Sequence, residues 1–151
     1  MKKNILILCC GYPFQTDKRF GYEVSKVLEK MRLPESVEFM EVGESACMIP
    51  SFIAGREKLI VIDVFETKEQ PGAVVRLKPS DVPIIIDGLT DIPKFHLMET
   101  LDQLKLIGKC PETIFIGVVP KDITTESLDL NPEIQSKIPE VIDLIMEEIT
   151  Q

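Results

Sequence analysis

No run in the sequence approaches the roughly 20 consecutive apolar residues that cross a bilayer, so stable membrane insertion is not expected. Basic residues are outnumbered, 17 Lys and Arg against 25 Asp and Glu, and the formal charge of -8 works against the phosphate attraction that drives nucleic-acid binding. Cysteine is scarce and wrongly spaced for a zinc site or a disulfide framework. The four residues Cys9, Cys10, Cys47 and Cys110 form no CxxC pair, and they read as reduced packing residues. The glycines lack phosphate-binding spacing: Gly11 and Gly21 stand too far apart for a dinucleotide fingerprint, and no Walker sequence is present. There is no GxSxG elbow for a serine nucleophile, and histidine occurs once, at His96. Internal repeats and low-complexity linkers are also missing.

The chain does have a large apolar share, 44% of 151 residues, enough for the core of one domain spanning 1–151. Lys2 and Lys3 before Ile5-Leu6-Ile7-Leu8 superficially resemble a secretory leader. The apolar stretch is short and runs into a charged segment without a cleavage region, so it reads as the first strand of a cytoplasmic protein. Phe20, Val24, Val27, Leu28 and Met31 share a helical face, with Pro34 placing the helix end just beyond Met31. Residues 37–42 alternate imperfectly, as a strand near a sheet edge does. A short helical or irregular segment is expected over 46–54. Strands are expected at 59–63, 73–77 and 113–119. Pro83 disfavours a central strand at 82–88, where an extended loop is expected.

A helix is expected to begin near Phe95 and to stop at Gly108, with Leu97, Leu101 and Leu104 on its buried face and His96 in its opening turn. A last helix is capped by Asn131, starts with Pro132 and carries the stripe Ile134, Ile138, Val141, Ile142, Ile145 and Ile149, with a bend at Pro139. Alternating strands and helices favour a three-layer α/β sandwich, its twisted, mostly parallel central sheet flanked by helices.

The run Leu59-Ile60-Val61-Ile62-Asp63 is a buried strand ending in an acid, and a carboxylate there sits at the edge where open α/β sheets bind ligands. Asp63 is therefore a candidate site residue, a loop-amide acceptor being the structural alternative. His96 either buttresses the site or offers a neutral imidazole to nickel or zinc. Asp63 and His96 supply two ligands, short of the three or four of a resident zinc, so a metal carried by the substrate would have to bring the rest. Asp17 either caps the first helix or faces the same edge. Lys18, a cation near a helix start, is unfavourably placed unless it meets a partner.

The strings ILILCCGYPFQTDKRFG, VEFMEVGESA, LIVIDVF with PGAVV, FHLMETLDQLKLIG, and IFIGVVP with LNPEIQSKIPEVIDLI occur in an order that resembles the hydrogenase maturation proteases across nearly the whole chain. The resemblance implies an endopeptidase that removes the C-terminal extension of a nickel-iron hydrogenase large-subunit precursor after nickel insertion. It implies that Asp63 and His96 are the catalytic residues and that, supplemented by Asp17, they recognise nickel presented by the substrate, with Lys18 and Glu44 binding the substrate. Lys18 stands where the family carries an acid, which leaves Asp17 or Glu44 to supply the acidic function and Lys18 to contact substrate carboxyl groups. The turn after the first strand reads Cys9-Cys10-Gly11-Tyr12, and the later turn reads Glu41-Val42-Gly43-Glu44, both departing from the family pattern. A non-proteolytic hydrogenase-binding or chaperone-like factor on the same scaffold is the alternative.

Overall fold

Branched apolar residues dominate three central segments, and each forms a strand buried on both faces. The structure, a computed structural model, describes residues 4–44 and 50–151. Strands β1 (Ile5–Cys10), β2 (Val37–Gly43), β3 (Lys58–Val64), β4 (Val74–Leu77) and β7 (Glu112–Val118) make one sheet in the order β2-β1-β3-β7-β4. β1, β2, β3 and β7 run parallel, and β4 pairs antiparallel with β7. The mostly parallel sheet expected from the alternation of elements is present, and β2 lies at its edge.

Two-residue alternation divides the core. Ile60 and Ile62 of β3 face the layer made by α1 (Phe20–Glu29) and α5 (Ile138–Thr150), where Phe20, Val24, Val141 and Ile145 are buried. Leu59 and Val61 face the layer of α3 (Ile92–Leu106), against Leu97, Leu101 and Leu104. By the same parity Asp63 projects toward α3. The parallel strands also bring their carboxyl ends, with Gly11, Glu44 and Asp63, to one edge.

Several boundaries differ from the sequence expectation. α1 stops at Glu29, and Lys30 and Met31 close it with tighter bonds to Val27 and Leu28. The expected single last helix is two, α4 (Pro132–Gln135) and α5, because Pro139 has no N–H to continue the ladder and takes up a first-turn position instead. Residues 82–88 are not simply an extended loop: β5 (Ile85–Ile86) and β6 (Leu89–Thr90) form a small hairpin. Its turn, Asp87-Gly88, has φ of 52° and 78°, the left-handed pair that Asp-Gly favours. The segment expected over 46–54 falls partly on 45–49, outside the described residues, as does Cys47; its remainder contains α2 (Pro50–Ile53). No helix among the described residues is long and apolar enough to cross a membrane.

The far end of the sheet is closed by charge. Lys58 begins β3 buried, and its Nζ donates to Glu148 of α5 at 2.9 Å, while Arg76 of β4 donates to the other oxygen of the same carboxylate. Burial works against the Glu148 charge, but Lys58 and Arg76 outweigh it and hold its pKa below the ordinary 4.5. A depressed carboxylate contributes stability that is present above the ordinary value and lost as pH falls through the folded one. Removing Glu148 leaves Lys58 buried without its partner carboxylate, at a cost of about 3 kcal/mol. Urea denaturation at neutral pH should therefore register a loss of that size for Glu148→Ala, and the gap from wild type should narrow as pH is lowered below the carboxylate range.

Candidate active site

Asp91 precedes Ile92-Pro93, and this places the start of α3. Its extended backbone and side chain form the N-cap, with Oδ1 accepting from the Lys94 N–H at 3.3 Å. The helix thus begins three residues before Phe95, and His96 stands beyond the opening turn expected for it. Lys94 instead lies in the first turn. Its Nζ is 2.9 Å from Asp91 Oδ2 and 3.4 Å from Asp63 Oδ2. It also lies 5.3 Å from the centroid of the Phe65 ring.

This ammonium is enclosed, its side chain retaining 11% exposure. Burial opposes its charge, yet the facing carboxylates of Asp63 and Asp91 prevail and raise its pKa above the ordinary 10.5. Lys94 is a permanent cation here. Asp63 is consequently engaged on both oxygens: Oδ1 accepts the Val64 N–H at 2.8 Å, and Oδ2 pairs with Lys94.

A small cavity of about 30 Å³ lies beside Asp63, lined by Cys10, Gly11, Lys18, Glu44 and Lys94 among others. That volume suits a water molecule with polar neighbours. A wider cleft of about 580 Å³ shares Lys18, Glu44, Asp91, Pro93 and Lys94 with it, and extends past Ile86, Leu89 and Ile92. The arrangement has a place for water at a carboxylate, beneath a groove with an apolar wall.

Lys18 and Glu44, both expected at the site, meet at its mouth with Nζ and Oε1 3.8 Å apart. They are partly exposed, so the pair is worth at most about 1 kcal/mol to stability. Their position on the cleft is the more informative feature. Cys10 lines the small cavity, but burial, reinforced by the Asp63 charge, drives its thiol well above the ordinary 9.0. A thiol held in that form is a poor nucleophile.

Asp17 and His96 are not brought to Asp63. The Asp17 carboxylate is fully buried, and its Oδ2 accepts from the Lys121 and Asp122 N–H groups at 2.6 and 2.7 Å, tying its loop to the segment after β7. It makes no cap to α1, and its Oδ1 is without a hydrogen-bond partner among the described residues. The His96 ring is half exposed, contacts Glu99 at 3.2 Å and lines neither the cavity nor the cleft. Residues two apart on a helix point to nearly opposite sides, so with Lys94 turned toward Asp63, His96 must turn away. Asp63, His96 and Asp17 thus do not assemble as the ligand set expected from the sequence. Among the described residues no three His, Cys, Asp or Glu side chains gather as a metal site.

Sequence reasoning missed Lys94 and Asp91. Asp-X-Pro is a helix-start signal, and a lysine in a first turn opposes the helix dipole unless a carboxylate compensates it. Those two cues together identify the pair.

Gly11 controls how closely the loop after β1 approaches the site. Its φ is 129°, and a Cβ there would lie 2.2 Å from the Lys18 carbonyl oxygen and 3.5 Å from Asp63 Oδ1. Gly11→Ala should cost about 1–3 kcal/mol in a thermal or urea unfolding experiment, since the strained backbone and the backbone clash cannot both be relieved locally.

The sequence model described as hydrogenase maturation protease matches residues 22–148. The hydrogenase 2 maturation protease of Escherichia coli is 25% identical, the match covering 95% of this chain and 88% of the relative. The coenzyme F420 hydrogenase subunit delta of Methanothermobacter thermautotrophicus is 30% identical, with 97% and 94% covered. The fold is similar to that of the E. coli hydrogenase maturating endopeptidase HybD, with a TM-score of 0.86 over 99% of this chain and 93% of that one at 23% identity. With a sequence match across most of its length, the chain belongs to the hydrogenase maturation protease family, a family of peptide hydrolases.

Proposed function

We propose that the protein is an endopeptidase that removes the C-terminal extension of a nickel-iron hydrogenase large-subunit precursor. The single observation that carries this reading is the water-sized cavity at Asp63 opening into the wider cleft. An extended precursor tail fits along the cleft wall formed by Ile86, Leu89 and Ile92, with the scissile peptide above the cavity. In this reading Asp63 orients the attacking water and accepts its proton as the carbonyl carbon becomes tetrahedral. Lys18, partly exposed at the mouth, supplies positive charge to the developing oxyanion. Lys94 fixes the orientation of Asp63.

Nickel belongs to the substrate in this reading. His96 and Asp17 have no part in the chemistry proposed for Asp63: His96 projects away, and Asp17 is committed to the loop after β7. Glu44 faces the precursor beside Lys18.

One observation favours a second reading, a hydrogenase-binding factor without proteolysis. The Lys94 ammonium occupies the very carboxylate that hydrolysis would use. The F420 relative, named as a hydrogenase subunit, supports the same alternative.

The purified protein incubated with nickel-loaded and nickel-free forms of a matched hydrogenase large-subunit precursor, followed by intact mass and C-terminal sequencing, separates the two. Loss of the extension from either form supports the endopeptidase, and Asp63→Asn should then slow it by about a hundredfold or more. Stable association with an uncut tail in both forms supports the binding factor.

A further inference from the structure

Cation recognition by Asp63 meets a specific obstacle. Its Oδ1 is taken by the Val64 N–H and its Oδ2 by Lys94 Nζ, and that same ammonium is held by Asp91. A divalent ion approaching either carboxylate would have to displace a buried positive charge on a side chain anchored in the first turn of α3. The remaining ionic groups at the cleft do not relieve this. Lys18 adds a second positive charge and is paired with Glu44, and the further acids of the cleft, Glu66 and Asp87, gather with no set of three His, Cys, Asp or Glu side chains that could hold a metal among the described residues. His96, the one nitrogen ligand in the sequence, is on the other side of α3. The residues present do not fit a nickel ligand set.

We propose that Lys94 is a specificity-determining residue: its ammonium is a built-in cation of the recognition pocket, standing between Asp63 and Asp91, so the protein engages its precursor without sensing nickel. The inference rests on the reading that the Asp63 cleft receives the precursor. It differs from that reading in what the pocket recognises, which is the peptide segment itself.

Two consequences follow from the geometry. In the wild-type pocket Asp63 and Asp91 both face the Lys94 ammonium, whereas an uncharged side chain of similar length at position 94 leaves them facing one another across the space the ammonium filled. Two facing carboxylates without a countercharge attract a divalent cation. The apparent loss of metal recognition is therefore reversible by removing one charge.

The experiment is calorimetric titration of nickel chloride into metal-free protein, for wild type, Lys94→Met and Lys94→Arg, with circular dichroism on each variant. Wild type and Lys94→Arg should bind no nickel in the micromolar range, and Lys94→Met should bind at least about tenfold more tightly. Stoichiometric micromolar binding by wild type overturns the proposal, as does Lys94→Met binding no better than wild type while folded. A wild-type measurement decides the matter even where Lys94→Met does not fold: its affinities for nickel-loaded and nickel-free precursor should agree within about twofold, and a preference of about tenfold for the loaded form overturns the proposal. A protein that binds both precursors equally and cuts neither removes the endopeptidase reading and leaves this inference standing. The absence of binding to either precursor removes the cleft assignment on which the inference rests.

Discussion

One ammonium group organises the ligand edge of this protein. Lys94 brings together the end of β3 through Asp63 and the start of α3 through Asp91, so that two elements meeting across a cleft share a single ionic contact. Unit charges about 4 Å apart interact by about 4 kcal/mol at the effective dielectric typical of protein surfaces, and two carboxylates act on this cation at once. That attraction outweighs the desolvation of a largely enclosed lysine, which is why the group stays charged. The positive end of the α3 dipole works in the other direction: it favours both aspartates and disfavours the lysine. The aspartates are what make Lys94 tolerable at that position.

The rest of the edge is shaped by close backbone approach. Gly11 lets the loop after β1 lie against the Lys18 carbonyl, and Gly21 allows the start of α1 to cross Cys10 with no room for a Cβ, which would sit 1.9 Å from the Cys10 oxygen. Gly117 does the same between β7 and Asp63, where a Cβ would lie 1.8 Å from the Asp63 carbonyl oxygen. Main chain thus comes close to Asp63 at its own backbone, from β7, and at its carboxylate, from Gly11. The carboxylate projects toward α3, and there it meets Lys94.

Much of this was legible in the sequence. The unbroken apolar run ending in Asp63 could only be an interior parallel strand, and the stripes on the first and last helices located the layers covering one face of the sheet. What failed was local. Pro139 sits within a continuous apolar stripe, and the stripe concealed the break between α4 and α5 because packing periodicity survives a missing hydrogen bond. Asp87-Gly88 is a hairpin signal that Pro83 does not contradict, since Pro83 lies outside the two short strands. The most consequential error was the placement of the α3 start near Phe95. Anchoring the start at Asp91 fixes the helical phase, and the phase turns Lys94 inward and His96 outward. A shift of two residues in attention along a helix amounts to about 200° around its axis, the difference between a site residue and a solvent-facing one.

The chemical difference between an ammonium and a divalent metal bears on how the proposed pocket would recognise its partner. A metal ion arrives from outside, carries two charges and demands several ligands at fixed distances. A lysine arrives with the fold, carries one charge and accepts loose, shared contacts from whatever carboxylates surround it. With Lys94 and Lys18 set against Asp63, Asp91, Glu44, Glu66 and Asp87, the small cavity and the cleft together carry three net negative charges, so their fixed positive charges are compensated within the protein before any ligand approaches. On the reading proposed above, selectivity comes from the shape of the groove and from the apolar wall of Ile86, Leu89 and Ile92, which would read the side chains of a peptide whatever metal its partner holds elsewhere.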